Sequence, residues 1–68
     1  MSVNSTIDEF IHDRHERGAT LEEIAEWSGF SPQRVGDALT ELKTEGRIVR
    51  TPHERKTGLF ASPVWRAA

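Results

Sequence analysis

Apolar side chains recur at helical spacing in three stretches of this chain and then give way to short, alternating runs. Ile7, Phe10, Ile11 and the aliphatic stem of Arg14 fall at i, i+3, i+4 and i+7, which predicts a helix over residues 6–17. Ser5, with Asp8 three positions on, resembles a capping box in which Asp takes the Glu/Gln role, and Gly18 supplies a left-handed stop. Residues 1–4 precede that cap and read as a flexible leader; residues 5–68 read as one domain. Thr20-Leu-Glu-Glu23 is a clearer capping box. It opens a short helix whose apolar side is Leu21, Ile24, Ala25 and Trp27, and Gly29 ends it. Ser31-Pro32 restarts a helix, since serine caps well and proline suits the first helical position. Val35, Ala38, Leu39 and Leu42 line one face of this third helix, 32–45, up to the stop at Gly46.

Beyond Gly46 the period changes. Arg47–Arg50 and Leu59–Trp65 are rich in β-branched and aromatic residues, and the polar stretch "TPHERKTG" separates them. This predicts a β-hairpin with a long polar loop ending in glycine. Pro63 lies inside the second run, so that strand must be an edge or break there.

The spacing Ala25, Gly29, Val35 has a mechanical meaning. A helix-turn-helix packs one helix steeply across another through a turn of about three or four residues. Ala25 suits the crossing, Gly29 suits a left-handed turn, Phe30 tucks beneath it and Val35 faces back. Here the sequence resembles the helix-turn-helix family of DNA-binding proteins. With a helix before and a hairpin after, it resembles a winged helix over residues 6–66. The stretch "VGDALTELKTEGRIVR" is similar to the recognition helix and first wing strand of bacterial, archaeal and phage transcription regulators. The resemblance implies an α+β, mainly α fold: a three-helix helix-turn-helix core followed by a C-terminal β-hairpin wing. "SPVW" at 62–65 also resembles the wing of Z-form nucleic-acid-binding domains. Those carry an asparagine and a tyrosine on the recognition helix where this chain has Gly36 and Thr40, which argues against that activity.

Composition narrows the setting. At 68 residues without cysteine, one small core must hold by packing alone. No apolar run approaches the roughly 20 residues of a membrane span, and no signal-peptide region opens the chain, so a soluble cytoplasmic domain is expected. The net charge of −2 and pI near 5.9 speak against a dedicated nucleic-acid binder. Distribution changes that picture. Residues 1–30 carry seven acids against two cations, residues 31–46 three against two, and residues 47–68 one acid, Glu54, against five cations. An acidic front is joined to a basic tail.

The face of the third helix opposite its apolar stripe carries Gln33, Asp37, Thr40 and Thr44, flanked by Arg34, Gly36, Glu41 and Lys43. The resemblance implies that this face enters a major groove of double-stranded DNA. Ser31, Gln33, Arg34, Thr40 and Lys43 are its candidate contacts, with Gln33 suited to adenine and Arg34 to guanine or phosphate. The helix N-terminus at Ser31 offers N–H groups to a phosphate. Asp37 and Glu41 are unfavourable beside phosphates and suit a cytosine contact or a solvated face. Gly36 has two readings, close approach to DNA or tight packing on a neighbour. In the wing, residues 50–58, the candidates are Arg50, His53, Arg55, Lys56 and Thr57, placed for the backbone or the minor groove.

A sequence-specific regulator of transcription is the leading expectation. The alternative is a winged-helix module that docks a protein partner in transcription, replication or repair through acidic helices 1 and 2 or through the mixed-charge recognition helix. A monomer or a weak homodimer fits either. No catalytic arrangement appears, so no enzyme is expected, and no cofactor. His12 and His15 lie three apart, but only distant His53 adds a further imidazole, so no metal site is expected. Trp27 and Trp65 read as core or rim packing.

Overall fold

Ser2, rather than Ser5, opens the first helix: its hydroxyl accepts from the Ser5 N–H at 3.1 Å and its carbonyl from the Thr6 N–H at 3.1 Å. In the computed structural model, which describes residues 2–57 and 59–68 without the side chain of Thr57, helix α1 spans Val3–Asp13. Val3 and Asn4, expected in a leader, are helical, and Val3 packs against the core one turn before Ile7. Either serine can cap; the earlier one lets the apolar stripe start a turn sooner. At its other end α1 stops at Asp13, ahead of the expected Arg17. His15–Arg17 form a 3-10 turn instead, with His15 at φ 51°. His12 and His15 therefore do not share a helix face. Arg14 Nε donates to the Gly18 carbonyl at 2.8 Å and holds the chain as it turns away.

Helices α2, Leu21–Ser28, and α3, Pro32–Thr44, follow their punctuation. Thr20 Oγ1 accepts from the Glu23 N–H at 3.2 Å while Glu23 Oε1 accepts from the Thr20 N–H at 3.3 Å, the reciprocal pair expected of a capping box. Gly29 turns left-handed at φ 80° and donates to the Ala25 carbonyl at 2.9 Å. Beyond α3 the Gly46 N–H bonds Lys43 O and the Arg47 N–H bonds Leu42 O, both at 3.0 Å. This Schellman pairing satisfies carbonyls at the helix end and aims the chain into the sheet.

The hairpin departs from expectation in length. Strand β1, Ile48–Thr57, and strand β2, Phe60–Ala67, pair antiparallel through most of the stretch predicted to be loop, down to Thr57 opposite Phe60. One irregularity interrupts the ladder. Between Arg50↔Trp65 and Glu54↔Pro63, three residues of β1 face Val64 alone. Pro52, which has no N–H to give a ladder, sits in that bulge. Thr51 repairs it: its hydroxyl donates to Val64 O at 3.0 Å and accepts from the His53 N–H at 3.3 Å. Pro63 is tolerated because a two-stranded sheet consists of edges. Ala19 and Trp65 exchange backbone hydrogen bonds of 2.9 and 2.8 Å, tying the entry to α2 onto β2.

Ile7, Ile11 and Ile24 meet the buried stripe Val35, Ala38, Leu39 and Leu42, and Ile48 closes the core from the sheet. Ala25 is half-buried and packs on this cluster, as does Phe30. Trp65 joins the same cluster, whereas Trp27 stays 53% exposed at the rim.

The packing reading of Gly36 is testable here. A Cβ at this position would meet Leu21 Cδ1 at 3.6 Å, an ordinary contact. Packing therefore does not require the glycine, and helix propensity opposes it. Gly36→Ala is expected to stabilise the domain by about 0.5–1 kcal/mol. Thermal unfolding checks this: the midpoint should rise by a few degrees, and a fall would mean that α2 and α3 pack too closely for a methyl group.

Candidate nucleic-acid interface

The inner stripe of α3 fixes what its outer face presents. With Val35, Ala38, Leu39 and Leu42 buried, Gln33, Arg34, Asp37, Thr40, Lys43 and Thr44 are exposed. Three details revise the expected chemistry. Ser31 Oγ accepts from the Arg34 N–H at 3.2 Å, Val35 N–H bonds Ser31 O at 3.0 Å, and Pro32 has no N–H. Among the described residues, the first turn of α3 thus offers a phosphate mainly the Gln33 N–H, less than the open helix end expected. Thr40 Oγ1 donates to Gly36 O at 3.0 Å, as Thr44 Oγ1 does to Thr40 O at 2.9 Å. The exposed Thr40 hydroxyl can still accept. Glu41, read as part of a solvated face or a cytosine contact, receives a hydrogen bond from Asn4 Nδ2 of α1. That bond draws one of the two awkward acids toward the first helix.

In the wing, the candidate side chains divide. Arg50, His53 and Lys56 are exposed, as is Glu54. Thr57's side chain and Gly58, the end of the expected wing, lie outside the described residues. Arg55 is turned inward. Its Nη1 donates to Glu23 Oε1 and Oε2 at 2.6 and 2.7 Å, and its Nη2 to Arg17 O at 2.6 Å. Arg14 Nη2 reaches the same Glu23 carboxylate at 3.4 Å. One carboxylate thus caps α2, holds the arginine of the 3-10 junction and fastens the wing. Burial pushes the Glu23 pKa up, but the Arg55 hydrogen bonds, the Thr20 N–H and the charges of Arg55 and Arg14 outweigh it, so it lies below the ordinary glutamate value. Ser62, opposite Arg55 in the ladder, donates to Glu22 Oε1 at 3.0 Å, a second tie between wing and α2.

These ties were not visible in the sequence. The Thr20–Glu23 box was legible because its partners lie three residues apart. The Arg55–Glu23 pair spans 32 positions and the Ser62–Glu22 pair 40, and no local pattern announces either.

Next to the cluster around Glu23, Trp27 stacks on Phe10 with ring centroids 4.2 Å apart and 24° between planes. The Arg14 guanidinium lies 5.1 Å from the Phe10 ring centroid. Together with Thr6, Glu9 and Asp13 they line an open groove of about 400 Å³. Among the described residues, no three His, Asp or Glu side chains stand together as a metal cluster, and no helix is long and apolar enough to cross a membrane.

Comparison with known proteins agrees with this architecture. A family model described as the DprA winged helix domain matches residues 16–53, from the 3-10 turn through α2 and α3 into β1. No curated protein matches the chain. Winged helices serve as DNA-binding or protein-interaction modules, and the fold alone does not choose between them.

Proposed function

The chain belongs to the DprA winged helix domain family, and on that premise we propose that it binds duplex DNA with sequence preference, as a cytoplasmic regulatory module rather than an enzyme. The observation that carries this reading is the outer face of α3. A helix held by a complete helix-turn-helix turns Gln33, Arg34, Thr40 and Lys43 to solvent beside exposed Asp37, while its other acid, Glu41, is engaged with α1. Side chains near the start of such a helix are the first to meet base edges in a major groove. Arg50 and Lys56 supply the accompanying charge on the wing, with the His53 imidazole exposed between them in sequence. The domain acts as a monomer or a weak homodimer.

Replacing Gln33 or Arg34 with alanine should weaken binding to a preferred duplex by about 1–3 kcal/mol and leave random duplex nearly unaffected. Competition titrations of each folded variant against selected and random duplexes measure this. Unchanged discrimination in both variants would remove α3 from the role of reader.

The wing arginines and lysine separate by the same logic. Lys56→Ala should flatten the log–log salt dependence by roughly 0.9, one phosphate contact, without loss of stability. Arg55→Ala should instead destabilise the fold, because its guanidinium is bound to Glu23. Salt titrations paired with thermal unfolding check both variants; equal slope changes would mean that Arg55 leaves Glu23 to meet DNA.

A second reading rests on a different surface. The half-exposed Trp27 stacked on Phe10, in a groove edged by Glu9 and Asp13, suits a protein partner with a basic segment. Retained DNA binding after Trp27→Ala, with loss of a protein partner, would favour it.

A further inference from the structure

The most exposed large apolar side chains among the described residues are neighbours at the tip of the wing: Leu59, 88% exposed, and Phe60, 76% exposed. Scattered apolar residues on a surface are ordinary; two adjacent ones at the end of a projecting hairpin are not. They contribute nothing to the core of the free domain. Their support, however, is well built. Arg55 and Ser62 form a cross-strand pair just behind them, and both are tied to α2, to Glu23 and Glu22. Beyond that pair the ladder continues through Lys56↔Ala61 and Thr57↔Phe60, so the tip is an extension of an anchored ribbon.

We infer that Leu59 and Phe60 form an apolar wedge that the wing presses between base pairs from the minor groove of A·T-rich duplex. The inference rests on the duplex-binding reading above and adds the mode of contact. Three considerations favour nucleic acid as the occupant. The exposed cation Lys56 lies on β1 beside the tip, with Arg50 further back along the strand, against the single acid Glu54. That charge suits phosphates flanking a groove. The minor groove is about 6 Å wide, too narrow for a two-stranded ribbon but wide enough for side chains at its tip. Phenylalanine and leucine are side chains that can part a base step, and TA steps part most readily. An anchored base matters because a wedge on a loose hairpin would fold back rather than enter.

The test uses an A·T-rich duplex carrying 2-aminopurine at its TA steps, whose emission rises when a base unstacks. The whole chain at saturation should raise that emission. Phe60→Ala should bind about tenfold more weakly, keep the wild-type salt slope and lose the rise. Lys56→Ala should do the reverse, flattening the slope while keeping the rise at saturation. Leu59→Ala gives an independent check, and circular dichroism confirms that each variant is folded. Wild-type binding without a rise in emission, together with unchanged affinity of Phe60→Ala and Leu59→Ala, overturns the wedge and leaves the duplex-binding reading intact. Failure of the wild-type chain to bind any duplex at low salt overturns both. Loss of self-association or of binding to anionic vesicles in Phe60→Ala, with duplex binding unaltered, also overturns the wedge.

Discussion

Gly18→Ala is expected to cost at least about 3 kcal/mol, enough to unfold much of a domain this small. Two independent penalties meet at this residue. Its backbone sits at φ 63° and ψ −164°, a region that is essentially closed to residues with a Cβ and costs about 1–3 kcal/mol when forced. An added Cβ would also collide with the backbone oxygen of Trp65 and come within 2.8 Å of both Arg66 Cγ and Val64 Cγ1. A side chain can swing aside; the Trp65 oxygen cannot, because it accepts the Ala19 N–H at 2.9 Å. Relief therefore requires breaking the bridge that ties α2's entry to β2. Denaturant unfolding measures the loss, and amide exchange at Ala19 and Trp65 reports the bridge. A variant within about 1 kcal/mol of wild type with both amides still protected would show that the junction can move without harm. The sequence expectation for Gly18, a left-handed helix stop, named the right residue type for another reason: α1 has already ended, and the glycine is needed for close approach to β2.

Removing Glu23 should have the second-largest effect. Its carboxylate completes the α2 capping box and accepts from both Arg14 and Arg55, with 23% of its side chain exposed. Charge-assisted hydrogen bonds contribute about 1.5–3 kcal/mol each when shielded, and partial exposure reduces that. Glu23→Ala is expected to destabilise by about 3 kcal/mol. Glu23→Gln, which can still serve the capping box but leaves two guanidinium groups without a counter-charge, should lose about half as much. The pH dependence follows from the direction of the shift. Because the folded pKa lies below the ordinary glutamate value of 4.5, the contribution is complete above that value. It is lost as pH falls through the depressed folded value. Thermal midpoints measured from neutral pH downward should therefore converge for wild type and Glu23→Gln on the acid side. Parallel curves across the whole range would mean that the carboxylate charge contributes nothing. Since Arg55 ties the wing to α2 through Glu23, the same variant should also loosen the tip and blunt any contact that depends on a fixed Phe60.

What the chain announces by itself is whatever depends on partners a few residues apart. Thr20 with Glu23, Ser31 with Arg34, and the stops at Gly29 and Gly46 mark α2 and α3, since a cap is a bond between a side chain and a backbone group within the same turn. The stripe of Val35, Ala38, Leu39 and Leu42 assigns an inside and an outside to α3, because helical periodicity is a local property. That was sufficient for the winged-helix architecture and for the outward placement of Gln33 and Arg34. The first helix was displaced because Ser2 and Ser5 offer equivalent local caps, and only the packing of Val3 on the core distinguishes them. The wing was harder still. Glu54, Arg55 and Lys56 have little strand propensity, yet they pair because Arg55 and Ser62 find Glu23 and Glu22 on α2. Charge counting placed Arg55 among DNA contacts; folding gave it a carboxylate 32 positions away. Only the tertiary structure could decide that, because an ion pair between distant residues exists once the helices and the hairpin have fixed both ends of it.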